Sequence, residues 1–273
     1  WSATIGTTDS KGKVRVTYTI GDSDSDTITL SVKEVDNNNT DSVVITIGSS
    51  GGGTCLADGT LITIADGSQK PVEELTGDEL LLVWNLNTGS FDIAPIAVNF
   101  AEAFNDYEII HLHFSDGTDV KIIDEHAFWD FDLNRYAFIN KDNAQEHLGH
   151  WFQKQITDAD GNLTWTKVEL IDVDIEHEYT RAWTPITYEH LSFYANGMLS
   201  MTGEIEGIVN TFEICPDTMK IDQNAYLADI AEYGLFTYEE FAQLINVPEE
   251  MFDAFQAKHL KVAIGKGHIT LED

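Results

Sequence analysis

Short segments of alternating apolar and polar residues, separated by turn-forming pairs, fill residues 55–202 and constrain the fold most strongly. Glycine adopts a positive φ without steric cost, so aspartate–glycine and asparagine–glycine pairs favour tight turns. Turn signals that recur at short intervals are typical of all-β domains. The pairs are Asp58-Gly59, Asp66-Gly67, Asp116-Gly117, Asp160-Gly161 and Asn196-Gly197. We therefore predict a mainly β domain over this stretch.

The residues before this domain form a separate module. Residues 1–48 contain three alternating segments, at 13–20, 27–32 and 43–47, that predict strands. They resemble part of an immunoglobulin-like sandwich, although 48 residues are short for a whole one. Residues 49–54 follow as a glycine-rich linker, whose composition is typical of a flexible connection.

Residues 203–273 change character and predict a small helical C-terminal region. The predicted helices are 225–233, 238–245 and 248–255, the second with a capping box formed by Thr237 and Glu240. A strand is predicted over Leu260–Ile264, and residues 269–273 resemble the first turn of another helix. The whole chain is thus predicted to be mainly β with a helical end.

The charge of the chain excludes several classes of partner. The formal net charge is −32, from 47 acidic and 15 basic residues. Such a field repels phosphate backbones and anionic lipid surfaces, so we expect neither nucleic-acid binding nor membrane insertion. No apolar run approaches the roughly 18 residues that would cross a bilayer. The two cysteines, Cys55 and Cys215, are too few for a disulfide scaffold, and one bridge between them stays open.

A set of motifs begins where the linker ends. Cys55 is followed by a strand over residues 60–63, a turn at Gly67, and the segment Val-Glu-Glu-Leu-Thr-Gly-Asp at residues 72–78. This ordered set resembles the start of the Hint family, which includes inteins and the hedgehog autoprocessing domain. The resemblance covers residues 55–202 and implies an all-β fold. It also implies that Cys55 is a nucleophile and that Thr54–Cys55 is the scissile bond.

The chemistry of a cysteine after a linker agrees with this resemblance. A thiolate is the reactive form of cysteine, and the Thr54 carbonyl is its nearest electrophile. The shift of the acyl group from nitrogen to sulfur needs a base for the thiol and an acid for the departing nitrogen. Imidazole, with an ordinary pKa near 6.5, suits both tasks.

The histidine for these tasks is predicted on a hairpin over residues 109–126. The family has a Thr-x-x-His motif there, which the resemblance matches to Ile123 and His126. Ile123 therefore lacks the family hydroxyl, so we expect a slower acyl shift unless Ser115, Thr118 or Asp124 substitutes for it. A structural role for His126 remains the alternative.

The closing segment of the domain resembles the family with further departures. His190 precedes Phe-Tyr-Ala-Asn-Gly-Met-Leu at residues 193–199 and is a second candidate catalytic histidine. Thr184 stands where the family often has an aspartate. Met201 and Thr202 replace the intein His-Asn pair, so no asparagine is present to cyclise, and we expect no C-terminal splicing step.

Two further motifs were considered as metal sites. His111 and His113 alternate on one predicted strand and would share a face, but two histidines without a third ligand are weak evidence. Residues 158–162 imitate the start of a calcium loop, yet lack its later glutamate and better fit a hairpin turn. We therefore expect no cofactor and no bound metal.

We interpret the chain as a self-cleaving Hint-type domain whose substrate is its own upstream polypeptide. Its thioester would be resolved by water, a thiol or an amine, and an amine on another molecule would become joined to the upstream module. The order of domains resembles that of bacterial surface proteins, which predicts a secreted or cell-surface location. The alternatives are an inactive Hint scaffold with an adhesive or structural role, and a cysteine protease acting on other chains.

Overall fold

The computed structural model describes residues 26–33, 40–47, 54–201, 206–245 and 249–269. The chain divides into two compact units, residues 1–51 and 52–273. In the first unit, strands β1 (Asp26–Lys33) and β2 (Thr40–Ile47) pair antiparallel. The strands predicted over 27–32 and 43–47 are thereby confirmed. The strand predicted over 13–20 and residues 270–273 of the last predicted helix lie outside the described residues.

The second unit is built on a large antiparallel sheet, which confirms the prediction of a mainly β chain with a helical end. Its strands are β3 (Thr54–Ala57), β4 (Leu61–Thr63), β5 (Gln69–Pro71), β6 (Leu80–Asn85), β7 (Ser90–Ala101), β8 (Asn105–Phe114), β9 (Asp119–Asp130), β10 (Arg135–Asn140), β11 (Trp151–Thr157), β12 (Leu163–Thr180), β13 (Ala182–Thr187), β14 (Ser192–Ala195) and β15 (Met198–Met201).

Strand β9 is the centre of this sheet. It pairs with β8 and β3 over its first half, with β10 over its second half, and makes single bridges to β11 and β15. β3 in turn lies between β9 and β13, and β13 continues the sheet to β7 and β6. Apolar side chains from these strands fill one core, which includes Leu56, Ile122, Phe128 and Phe193.

The turn after β3 is fixed to β13 by side chains. The Trp183 indole donates to the Asp58 carboxylate at 2.6 Å, and the Arg181 guanidinium lies 3.4 Å from the same carboxylate. The Thr180 hydroxyl accepts from the backbone N–H of Asp58 at 3.3 Å. These contacts hold the strand that carries Cys55 against its neighbour.

Two predicted turns are present. Asn196 and Gly197, at φ 49° and 80°, connect β14 to β15 in the left-handed geometry that an asparagine–glycine pair favours. The Asn196 side chain also accepts from the Leu61 N–H at 2.7 Å. Residues 158–162 form the hairpin turn between β11 and β12, closed by the Asp158 N–H to the Asn162 carbonyl at 2.9 Å.

The C-terminal region is helical, as predicted. It contains a small hairpin and short helices: α1 (Glu206–Val209), β16 (Ile214–Cys215), β17 (Lys220–Ile221), α2 (Gln223–Tyr233), α3 (Tyr238–Phe241), α4 (Glu249–Ala254) and α5 (Leu260–Gly265). Thr237 and Glu240 form the predicted capping box at the start of α3. α3 is shorter than the predicted 238–245. A 3-10 helix spans Ala144–His147. Among the described residues, no helix is long and apolar enough to cross a membrane.

The strand predicted over Leu260–Ile264 is wrong, because these residues form α5. Five residues are too few to separate a period of two from a period of 3.6. With the preceding residues included, the buried apolar positions are Ala257, Leu260, Val262 and Ala263. Three of them, Ala257, Leu260 and Ala263, are three apart, as on one helical face. Alternation within the short run therefore misled the sequence analysis.

The C-terminal region shares a core with the β strands. Met201, Tyr194 and Trp84 from the sheet pack in one cluster with Phe212 and Met219. The Trp84 indole donates to the Met219 carbonyl at 2.9 Å. Gly89, at the tip of the β6–β7 hairpin, lies against Thr218. A Cβ atom at this position would be 2.7 Å from the Thr218 carbonyl oxygen, so glycine permits the close approach. The helical region is therefore packed as part of the second unit.

His259 lies inside this packing. Its side chain is 8% exposed, stacks edge-on against Phe212 and lies 3.0 Å from the Tyr226 hydroxyl. Burial, helped by the positive charge of Lys258, lowers the pKa of His259 from 6.5 to about 4. Between these two values the unfolded chain binds a proton at this site that the folded chain does not bind. Stability is therefore lost as pH falls from 6.5 towards 4.

We expect His259→Gln to remove this part of the pH dependence. The pKa difference corresponds to about 3 kcal/mol of unfolding free energy lost on going from about pH 7.5 to about pH 4. Urea unfolding at both pH values, followed by circular dichroism, measures the loss. The parent should lose more than His259→Gln by this amount, whereas equal losses would contradict the assignment.

Candidate functional site

Cys55 is buried near the start of β3, between two neighbouring strands. Its side chain is 3% exposed and packs with Ala57, Ile109, Ile123 and Ala182. Its Sγ lies 3.3 Å from the Thr184 Oγ1 on β13, within hydrogen-bond distance. On the other side, Cys55 is the cross-strand partner of Ile123 on β9. The thiol thus has an apolar neighbour on one strand and a hydroxyl on the other.

The backbone is irregular at the bond before Cys55. Thr54 on β3 is opposite two residues of β9, Asp124 and Glu125, which defines a β-bulge. Asp124 has φ 59°, a left-handed conformation that is costly for most residues but tolerated by aspartate. The Asn140 side chain donates to the Glu125 carboxylate at 2.8 Å and holds the second bulge residue.

The bulge changes the direction in which His126 emerges. Residues three apart on a regular strand point to opposite faces, as Ile123 and His126 would. One extra residue shifts the alternation by one, so we expect the bulge to turn His126 towards the face of Ile123 and Cys55. The His126 ring packs against Phe128 and Phe193. The three-residue spacing of the predicted motif is therefore compatible with a shared site.

His126 is fully buried and held by a serine. Its Nε2 lies 2.6 Å from the Ser200 Oγ, and the Ser200 hydroxyl donates to the Ala127 carbonyl at 3.3 Å. A hydroxyl has one hydrogen, so with that hydrogen directed at Ala127 the imidazole donates from Nε2. Nδ1 is then the basic nitrogen of the ring.

Tyr107 completes the surroundings of the thiol. Its ring packs against the Cys55 cluster, and its hydroxyl oxygen lies 3.0 Å from both the Glu102 carboxylate and the Ala103 carbonyl, which share its one hydrogen. Burial, followed by the charge of Glu102, raises the pKa of Tyr107 well above its usual value. Tyr107 is therefore a protonated hydrogen-bond donor beside the site.

The three residues expected to replace the family hydroxyl lie in two different places, the bulge of β9 and the β8–β9 turn. Asp124 is exposed on the bulge itself, directly after Ile123. Ser115 and Thr118 lie at the β8–β9 turn, where the Ser115 hydroxyl accepts from the Glu169 N–H and Thr118 contacts Lys154. Thr184 is the residue that brings a hydroxyl to Cys55.

His190 is placed in a different part of the sheet. It lies between β13 and β14, with its Nε2 3.5 Å from the Asp92 carboxylate. Asp92 is eight residues before Phe100, the β7 partner of Thr184. Eight residues correspond to about 26 Å of extended strand. The structure therefore pairs His190 with Asp92 and does not group it with Thr184.

The remaining candidates are the end of the closing motif, the histidine pair on β8 and a bridge between the cysteines. Met201 ends β15 and is 1% exposed, while Thr202 lies outside the described residues. His111 and His113 share a face of β8, with ring centroids 4.1 Å apart, and contact Asp119 and Asp174 respectively. Both cysteines are free thiols, so the bridge left open by the sequence is absent.

The contacts of Thr184 and Ser200 are not evident from the sequence. In the motif Thr184 is only a departure from an aspartate, although it lies beside the thiol, 129 positions from Cys55. Ser200 directly precedes Met201 in the closing motif, yet nothing in the sequence joins it to a histidine 74 positions earlier. A register for β15 against β9 was needed to find this contact.

Comparison with solved structures finds inteins and intein-like domains. The chain is similar to a DnaB intein from Synechocystis (TM-score 0.42, 16% identity, 55% of this chain and 98% of that chain). It is similar to a bacterial intein-like domain from Clostridium thermocellum (0.41, 16%, 54% and 98%) and to the DnaX mini intein from Spirulina platensis (0.45, 14%, 54% and 99%). No protein-family profile and no curated protein matches the chain.

We expect Ser200→Ala to destabilise the fold by about 1–3 kcal/mol, the cost of leaving a buried polar group without its hydrogen bond. The measurement is urea unfolding. Ser90→Ala is the matched control, because Ser90 is exposed, and it should change stability by less than about 0.5 kcal/mol. Equal stability of the two variants would show that Ser200 does not support His126.

Proposed function

We propose that this chain is a Hint-type domain that cleaves itself at Thr54–Cys55. The proposal is supported by the surroundings of Cys55: its thiol is buried beside Thr184, and the bond before it lies opposite a bulge in β9, the strand that also carries the buried His126. A nucleophile, a base and a distorted backbone are the parts that an acyl shift requires.

The reaction begins with removal of the thiol proton. Nδ1 of His126 accepts the proton from Cys55, and the thiolate attacks the Thr54 carbonyl carbon. A carbon–sulfur bond forms, and the carbon–nitrogen bond between the two residues breaks. The nitrogen leaves as the amine of Cys55 after it receives the proton from the imidazolium. The product is a thioester between the Thr54 acyl group and the Cys55 sulfur.

Thr184 supports the sulfur during this shift. Its hydroxyl at 3.3 Å donates a hydrogen bond to the thiolate as negative charge develops. Hydrogen bonds to charged acceptors are about twice as strong as neutral ones. Thr184 therefore supplies a hydroxyl from β13, while the resemblance placed the family hydroxyl at the position of Ile123 on β9.

The thioester is resolved by water, a thiol or an amine. The attacking nucleophile takes the Thr54 acyl group and releases the Cys55 thiol, so the upstream segment leaves alone or becomes joined to an amine on another molecule. Cys55 is 3% exposed, which favours its own upstream carbonyl over a substrate from another chain. The proposed partner is thus the upstream polypeptide, in a secreted or cell-surface bacterial protein.

A second candidate, an inactive Hint scaffold with an adhesive or structural role, is favoured by one observation. Ile123 is fully buried and pairs directly with Cys55, so the side where the family places a hydroxyl is apolar. An apolar neighbour does not stabilise the charges of an acyl shift.

We expect incubation with a thiol or hydroxylamine to release residues 1–54 and leave 55–273 as one fragment. Cys55→Ala should stop the cleavage, because it removes the nucleophile. Cys215→Ala is the matched control and should cleave like the parent. The intact masses of the products report both ends at once. Cleavage that persists in Cys55→Ala, or a fragment that ends near Thr202, would contradict the proposal.

The same assay separates the active domain from the scaffold. Ile123→Thr introduces a hydroxyl beside the bulge and should accelerate cleavage. Ile123→Val removes similar bulk without a hydroxyl and is the control for cavity formation, with circular dichroism as the folding check. If neither the parent nor Ile123→Thr forms a thioester, the inactive scaffold is the correct function.

His126→Ala should slow thioester formation by about 10²–10⁴-fold, the usual contribution of a general acid–base group. The rate of thiol-induced cleavage measures this effect. His177→Ala is the comparison, since His177 is an exposed histidine on β12. Parental rates in both variants would exclude His126 as the base.

A further inference from the structure

Asp130, His147 and His150 meet at the end of β9 that is remote from the bulge. Asp130 is the last residue of β9, His147 ends the 3-10 helix Ala144–His147, and His150 directly precedes β11. The turn between the two histidines contains Gly149 at φ 84°, a conformation that suits glycine and returns the chain towards Asp130. Three separate elements therefore bring one carboxylate and two imidazoles together.

The carboxylate of Asp130 is oriented by its two oxygens. Oδ1 accepts the backbone N–H groups of Asp132 at 2.8 Å and Leu133 at 3.1 Å. Oδ2 faces the imidazoles, 3.3 Å from the His147 Nδ1 and 2.7 Å from the His150 Nδ1. The backbone fixes one oxygen, so the other is directed at the histidines.

The burial of this group agrees with a cation partner. Asp130 is fully buried, and His147 is 7% exposed. A buried carboxylate is costly unless it is paired or hydrogen-bonded, and a metal ion is one such partner.

The geometry points to a binding site for a divalent transition-metal ion of the zinc class, held by Asp130 Oδ2, His147 Nδ1 and His150 Nδ1. Two imidazoles and one carboxylate are a common ligand set for such ions. The three ligand atoms lie within 4.8 Å of one another. Bonds of about 2.0–2.1 Å in a tetrahedral complex separate ligand atoms by about 3.3 Å.

The contacts with Asp130 give two of the three separations between ligand atoms, and the third, between the two imidazole nitrogens, is within 4.8 Å. The contact between Asp130 and His147 already has the tetrahedral separation, at 3.3 Å. The contact with His150 at 2.7 Å must open by about 0.6 Å, the difference from that separation. The His150 side chain is 26% exposed, so it has room to move, and its exposed side admits water to the fourth position.

Metal binding changes the tautomer of both rings. Hydrogen bonding to Asp130 uses an Nδ1–H, whereas a metal ligand needs the Nδ1 lone pair. Each neutral ring therefore transfers its hydrogen from Nδ1 to Nε2 through water, with no net proton release.

The test is a titration of the full chain with Co²⁺, which reports tetrahedral nitrogen and oxygen ligands through its visible absorption. We expect one ion per chain, competed by Zn²⁺. Loss of a residue that only hydrogen-bonds a metal ligand weakens binding roughly 10–100-fold. His150→Gln removes a ligand itself and should weaken binding by more than this. His113→Gln is the matched control at the other histidine pair and should bind like the parent.

A measurement on the parent alone keeps the test independent of folding in the variants. On addition of Zn²⁺, the imidazole nitrogen signals of His147 and His150 should shift in nuclear magnetic resonance spectra, and those of His111 and His113 should not. A Co²⁺ spectrum that His150→Gln leaves intact, or that His113→Gln abolishes, overturns the site. So does the absence of any shift at His147 and His150.

Discussion

The pairing of β9 with β3 is the interaction on which the site depends. β9 holds the start of the second unit through β3, and its bulge lies opposite Thr54. A regular strand would direct Ile123 and His126 to opposite faces, and the bulge shifts that alternation by one residue. The left-handed Asp124 and the Asn140–Glu125 hydrogen bond therefore shape the backbone opposite the proposed scissile bond, although neither supplies a reactive atom.

The sequence predicted the local features of the molecule well. Alternation identified β1 and β2, the asparagine–glycine pair identified the β14–β15 turn, and Thr237 with Glu240 identified the start of α3. Each of these features depends on residues close together in the chain. The α5 error has the same origin, because five residues carry too little periodicity to separate a strand from a helix.

The contacts of the site are long-range, and that is why the sequence did not reveal them. Thr184 meets Cys55 across 129 positions and Ser200 meets His126 across 74, so both depend on strand register. Compared with the family motif, Ile123 replaces a threonine and Thr184 replaces an aspartate, and the two departures are unrelated in the sequence. In the sheet they belong to the two strands that flank β3, which places one apolar and one hydroxyl side chain beside the same thiol.

The division of the chain into units bears on what cleavage at Thr54–Cys55 would do. The boundary between the compact units lies between Gly51 and Gly52, three residues before the proposed scissile bond. The second unit would lose only residues 52–54, and it would keep Cys55, β9 and the shared core with the C-terminal helices. Since stability is the small remainder of large opposing terms, a cut inside the second unit would risk unfolding it. A cut directly before Cys55 leaves this unit with nearly all of its internal contacts, so the acyl shift need not work against the folding energy of the domain that performs it.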